Sequence, residues 1–461
     1  MKFTKFGKTL LVSALSAGVV LSVTSCVQSY SVGYLYVTGT ATAASSNDGI
    51  ISAFKIDHNT GKLSAVDGLP VSSGGANPVR AVLLAGSRFV YVLNRGTTAS
   101  GGSDCTTADP CQSGNITSFA VGANGILTPQ EVFYTQGINP FRLLTDSSGA
   151  HILVLDHDAL DSAAYTGKTP TVANPNSCMN ALGNSTTSCG DVTVFSINSA
   201  TGHLSLVTNQ QVNAATGGLL TYFPVPANPV DFVLASSSSS PFLLTLNASS
   251  TAVQSFPYVG GNSVFPYSYG SSGGQLTVSQ NSANSLTGIH SATAIDAGGS
   301  NIYILDNEPI NGVGYSQILP YSIGSGGSLQ IQTGGPVADD PTLSNPSVLL
   351  VETKGKWIYV ANQGTTTNDL NTLSGIAAYV LTSPFQLSTM PGEPFGSGAG
   401  PQCMVEDPSN QYIYTANFND STVTARVINQ TTGNLANLTS GTGTYTLTGQ
   451  PTWCFINGRT G

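Results

Sequence analysis

The chain has 461 residues, 14 of them basic and 23 acidic, for a net charge of −9 with only 8% charged residues in all. So few cations on an acidic chain argue against nucleic acid as a partner. The 52 glycines, with abundant Ser, Thr and Asn, suit short strands joined by tight turns and argue against a helical fold.

Residues 1–25 read as an export signal, because Lys2, Lys5 and Lys8 form a basic start and Thr9 to Val23 an apolar run that is short and Ser-rich for a membrane span. The run ends in Leu21-Ser22-Val23-Thr24-Ser25-Cys26, which resembles the lipobox at which a lipid is attached to the cysteine thiol before cleavage. That resemblance implies Cys26 as the mature N-terminus, acyl chains holding it at a membrane surface, and residues 26–33 as a tether. The alternative is an ordinary secretory signal with an incidental cysteine. Either way the expected location is the cell envelope, outside the cytoplasm. Cleavage leaves 11 basic against 23 acidic residues.

From residue 34 onward the chain repeats. An orphan strand, Tyr34-Leu35-Tyr36-Val37-Thr38-Gly39, comes first, and then Pro78 opens a hairpin that ends in Phe89-Val90-Tyr91-Val92-Leu93-Asn94. The plan recurs from Pro140 to Asp156, Pro229 to Asn247, His290 to Asp306, Pro346 to Asn362 and Pro401 to Asn417, with an offset of 16 in five of the six copies and 18 for Pro229. A last start, Pro451-Thr452-Trp453-Cys454-Phe455, has no partner after it. A third strand such as Ile50 to Ile56 or Val192 to Ile197 follows each hairpin, and a Thr-Gly turn leads to a fourth, as in Thr60-Gly61-Lys62-Leu63 and Thr201-Gly202-His203-Leu204.

Four strands per repeat, with the orphan first strand completing the orphan last start, predict an all-β, seven-bladed β-propeller over residues 34–461, closed by pairing the N- and C-terminal segments. The order Pro start, apolar strand, Tyr-x-Tyr-Val-x-Asn, Val-x-Phe-x-Ile and Thr-Gly-x-Leu resembles the lactonase-type propellers, typified by 6-phosphogluconolactonase, over about residues 34–457. That resemblance implies lactone hydrolysis as an activity. Members of the family often carry Gly-Pro-Arg-His at a blade start, where this chain has Gly400-Pro401-Gln402-Cys403. Neither replacement is a neutral-pH base, so a binding module is the preferred expectation and a lactone hydrolase the alternative.

Blade starts and second-strand ends share one face, so insertions at 95–114 and 157–190 rise beside the central funnel. Ligand-binding candidates are Arg80, Arg142 and Asp231, two residues after their starts, with His290, Gln402 and Trp453. Two arginines can grip a small anion or a sugar acid bidentately, or can serve as structural donors to neighbouring loop carbonyls. The expected partners are accordingly a carbohydrate, a small anion or an envelope protein. Six cysteines remain after Cys26. Cys105 with Cys111 and Cys178 with Cys189 are expected as local disulfides, whereas Cys403 and Cys454 either pair or stay as buried thiols.

Asp156-His157-Asp158 with Asp161 has metal-ligand residue types, but Asp156 occupies the repeat's strand-terminal position, so no metal is expected, and no cofactor. Asp146, Asp296, Glu352 and Asp407, six residues after their starts, read as turn-initiating residues, and His58 and His203 as solvated turn residues. The stretches 236–240 and 259–274 read as loops, with no Walker-type or Gly-x-Ser-x-Gly sequence after them.

Overall fold

The computed structural model describes residues 31–41, 48–84, 88–98, 101, 111, 114–159, 189–212, 218–237, 240–248, 262–279, 284–286, 289, 291–307, 316–367, 370–382 and 386–457. The signal segment, Cys26 and most of both insertions therefore lie outside the described residues, as do Asp161 and His290. No helix among the described residues is long and apolar enough to cross a membrane.

Seven antiparallel sheets, each built on a run of four strands, form a seven-bladed propeller. Blades one to six run from inner to outer strand in chain order, starting at Pro78, Gly137, Pro229, Ala292, Pro346 and Pro401. Blade seven takes its inner strand, Gly449–Ile456, from the C-terminus and its other three from Ser31–Ala41, Asp48–Asp57 and Leu63–Ala65. Tyr36 pairs with Phe455 and Val37 with Cys454, so the two chain ends share blade seven and close the ring.

Proline suits an innermost strand, whose channel-facing edge needs no ladder donor. In four blades it follows an asparagine with φ of 52 to 60°, namely Asn77, Asn139, Asn228 and Asn345, a conformation that Asn tolerates better than most residues. One residue after each start is skipped in the pairing: Val79, Phe141, Val230, Thr293, Ser347, Gln402 and Thr452. This bulge, repeated in every blade, turns the inner strand at the funnel mouth. Three bulge hydroxyls bind the next blade's start, with Thr293 donating to the Pro346 carbonyl at 3.3 Å, Ser347 to that of Pro401 at 3.2 Å, and Thr452 to that of Pro78.

The fourth blade corrects the sequence reading. Ala292, not His290, pairs with Asp306 and so holds the position of the prolines. Its hairpin is two residues shorter because Gly298 pairs with Asn301 across a two-residue turn, a length that Gly and Ser accommodate. A second correction concerns residues 259–274, which contain the third strand of blade three, Ser263–Gly270. Its buried Phe265, Tyr267 and Tyr269 supply the alternating apolar face that the surrounding glycines obscured. Ser236, Ser237 and Ser240 likewise belong to strands, as Ser237 pairs with Ser240.

The blades are fastened by the two repeated motifs. The tyrosine of an aromatic-x-Tyr pair (Tyr34-x-Tyr36, Phe89-x-Tyr91, Trp357-x-Tyr359, Tyr412-x-Tyr414) donates to the glycine carbonyl of a turn in the next blade: Tyr36 to Gly125 at 3.0 Å, Tyr91 to Gly202 at 2.7 Å, Tyr359 to Gly433 at 2.7 Å, and Tyr414 to Gly61 at 2.9 Å. Blade two has Leu153 there and is fastened differently, by buried His151 and Asp146 meeting Tyr269 of blade three at 3.1 and 2.9 Å. Asp146 does initiate the hairpin turn, accepting from the Ala150 amide at 2.9 Å, and it also joins two blades.

Cys403 and Cys454 form a disulfide between the inner strands of blades six and seven. Cys111 and Cys189 are each disulfide-bonded; their expected partners, Cys105 and Cys178, lie outside the described residues.

Candidate functional site

A cavity of about 490 Å³ opens on the face where the inner strands start and the second strands end, a size suited to a small ligand. One wall is Arg80 and Arg142; the opposite wall is Thr293, Asn307, Asn345, Pro346, Ser347, Gln363 and Gln402. The bulge brings these residues together. It turns Thr293, Ser347 and Gln402 toward the cavity, while the longer arginines reach it from the position after the bulge.

Each arginine is oriented by its own strand and by a neighbouring blade. Arg142 donates from Nε to Asp231 Oδ1 at 3.0 Å and from Nη1 to the Phe141 carbonyl at 3.2 Å. The other Asp231 oxygen accepts from the Ile295 amide at 3.1 Å, so this carboxylate ties blades two, three and four together. Arg80 donates to the Val79 carbonyl at 2.9 Å, and its guanidinium lies 3.8 Å from the ring centroid of Trp453. Trp453 is itself anchored by Nε1 donating to the Ala81 carbonyl at 3.2 Å.

The electrostatics of this wall are one-sided. Burial, and then the Arg142 cation, pull the Arg80 guanidinium well below its ordinary value, with Asp231 acting in the opposite sense. Burial and Arg142 also lower Arg95 to about 10; Arg95 donates to Asn139 Oδ1. A guanidinium stays charged in proteins, so these shifts describe cations held close together with little water to screen them.

Of the candidates read from the sequence, Arg80, Arg142 and Gln402 line the cavity, and Asp231 and Trp453 orient the two arginines. Cys403 faces the buried disulfide, and His290 lies outside the described residues. Sequence reasoning missed Asn307 and Gln363, the residues directly after strand-terminal Asp306 and Asn362, and Asn345, the residue before Pro346. Their amides tie starts to ends, with Asn307 N donating to the Ser291 carbonyl and Gln363 N to that of Asn345, both at 2.9 Å. Their repeat positions marked them for this face.

The titratable groups elsewhere are structural. Asp156 and Asp191 form a fully buried pair in blade two, held by Thr135 donating to Asp156 at 2.8 Å and by Thr193 at 3.3 Å. Burial raises Asp156 to about 8 and pushes Asp191 well up, aided by the Asp156 charge. His157 pairs with Asp158 at 3.0 Å. Among the described residues no group of three or more His, Cys, Asp or Glu is arranged to hold a metal ion.

No family model and no curated protein sequence match the chain. Solved structures do. A periplasmic gluconolactonase of Pseudomonas aeruginosa superposes with a TM-score of 0.59 at 14% identity, covering 92% of this chain and 98% of that one. A candidate 6-phosphogluconolactonase of Bacteroides uniformis gives 0.59 at 15% identity, covering 92% and 99%. A protein from Lactobacillus plantarum gives 0.59 at 14% identity, also covering 92% and 99%. At these identities the likeness establishes architecture, and the chain is a seven-bladed β-propeller with the fold of the solved gluconolactonase-type propellers.

Proposed function

We propose that this protein is a binding module of the cell envelope, tethered through lipidated Cys26, whose funnel cavity takes a small polar anion such as a sugar acid. The observation that carries the reading is the composition of the cavity wall: two guanidiniums face neutral amides and hydroxyls, and among the described residues its lining holds no carboxylate, imidazole or amine to move a proton. Arginine forks grip a carboxylate, and amides and hydroxyls suit the hydroxyls of a sugar chain.

Titration calorimetry of the full-length chain with gluconate tests it. Saturable binding is expected, weakened at least tenfold by Arg80→Ala; an absence of binding in low salt overturns the reading. For the anchor, the expected result is that Cys26→Ser releases the protein from membranes, and a variant that still fractionates with them overturns that part.

A second reading, hydrolysis of a sugar lactone, is favoured by the names of two structural neighbours, one of them described as periplasmic. Here Arg80 and Arg142 would hold the lactone carbonyl while water attacks. Turnover of gluconolactone that Arg80→Ala abolishes would replace the first reading with this one.

A further inference from the structure

The two arginines of the cavity are not equivalent. Asp231 holds its negative charge against Arg142 at 3.0 Å, and its second oxygen is fixed by the Ile295 amide at 3.1 Å. Arg80 has no carboxylate within ion-pair distance among the described residues. It rests on the face of Trp453, 3.8 Å away, and its bond to the Val79 carbonyl uses one of its five N–H donors.

The wall therefore presents two cations and one fixed anion, while the facing residues Thr293, Asn307, Ser347, Gln363 and Gln402 are neutral. Arg95, hydrogen-bonded to the neutral Asn139, and Asp158, paired with His157, are not among the residues that line the cavity. Among the described residues that line the cavity, Arg80 is the one whose positive charge no ion pair offsets.

Resting on the reading of this cavity as a ligand site, we propose that it selects a polyhydroxylated monocarboxylate over a dicarboxylate or phosphorylated ligand, and that Asp231 sets this preference by neutralising Arg142. A single carboxylate on Arg80 offsets the one unpaired charge among the described lining residues. A second negative charge has only neutral groups or an already paired Arg142 to meet, and it faces Asp231, a like charge in a partly dry site.

Calorimetry with gluconate and with glucarate, which has the same carbon chain and one more carboxylate, tests this on the full-length protein in low salt. Wild type is expected to bind gluconate about tenfold or more tightly than glucarate, because a second carboxylate would be set against the like charge of Asp231. Asp231→Asn is expected to erase or invert that ratio. Arg142→Gln, which leaves Asp231 unpaired, is expected to widen it and serves if the first variant does not fold. Equal or tighter glucarate binding by wild type, or a ratio unchanged in Asp231→Asn while both ligands bind, overturns the proposal and leaves the ligand site standing. Binding of neither ligand to wild type overturns the ligand-site reading, and the preference falls with it.

Discussion

The Tyr414 hydroxyl donates a 2.9 Å hydrogen bond to the carbonyl of Gly61, 353 residues earlier in the chain. It joins blade six to blade seven, and with its counterparts at Tyr36, Tyr91 and Tyr359 it explains why two sequence motifs recur together. Each motif is half of a fastening between neighbouring blades.

Tyr414→Phe should cost about 1–3 kcal/mol, because it leaves the buried Gly61 carbonyl without a donor. Gly61→Ala should cost more, since Gly61 has φ of +67° and an added Cβ would lie 2.3 Å from the Tyr412 ring. Thermal melts of both variants check this; a Gly61→Ala melt indistinguishable from wild type would contradict it.

The Cys403–Cys454 bridge clamps the strand that closes the ring to its neighbour, across a sequence separation of 51. Replacing both cysteines with alanine should cost about 2–4 kcal/mol in the chain-entropy picture. A melting temperature that does not fall in the double variant would show that pairing of the chain ends alone sets the closure.

Trp453 touches Arg80 on its flat face and is fixed by its own bond to Ala81. Trp453→Leu should weaken gluconate binding by about 0.5–2 kcal/mol through loss of the cation–π platform, without altering the Arg142–Asp231 pair. Calorimetry at matched salt reads the change, and unaltered affinity would remove Trp453 from the site.

The buried Asp156–Asp191 pair should make the protein less stable as pH rises. A carboxyl raised in the folded state contributes stability that is fully present below its unfolded pKa of about 4 and is lost as pH climbs through the folded value. For Asp156 that value is about 8. Asp339, raised by burial to about 6, and Glu393, raised to about 7, act in the same direction. Asp191→Asn supplies a permanent donor in place of the shared proton, so its melting temperature should fall less between pH 5 and 9, a range chosen to span roughly the unfolded and folded values. Parallel curves for variant and wild type would count against the pair.

Much of the architecture was legible in the chain because a propeller repeats its local chemistry. The prolines, the apolar second strands ending in Asn or Asp and the Gly turns recur at near-constant spacing, and the unmatched segments at Tyr34 and Pro451 predict the closure that Tyr36 and Phe455 make. Arg80, Arg142 and Gln402 were legible as neighbours at one rim because a position in the repeat corresponds to a height along the funnel.

The relations between blades were decided in three dimensions. That Arg142 meets Asp231, 89 residues on, while Arg80 meets the ring of Trp453, 372 residues beyond the Ala81 carbonyl that anchors it, follows from the ring's rotation and from a bulge that moves each inner strand's register by one residue. Repeat spacing records neither. The same blindness set His290 in the place of Ala292, since a hairpin shortened by two residues keeps its strands and pairing partners while its start moves along the chain. Periodic sequence specifies the blade, because strand pairing within it is local; packing of blade against blade decides which charges meet, because those contacts join residues that no local pattern relates.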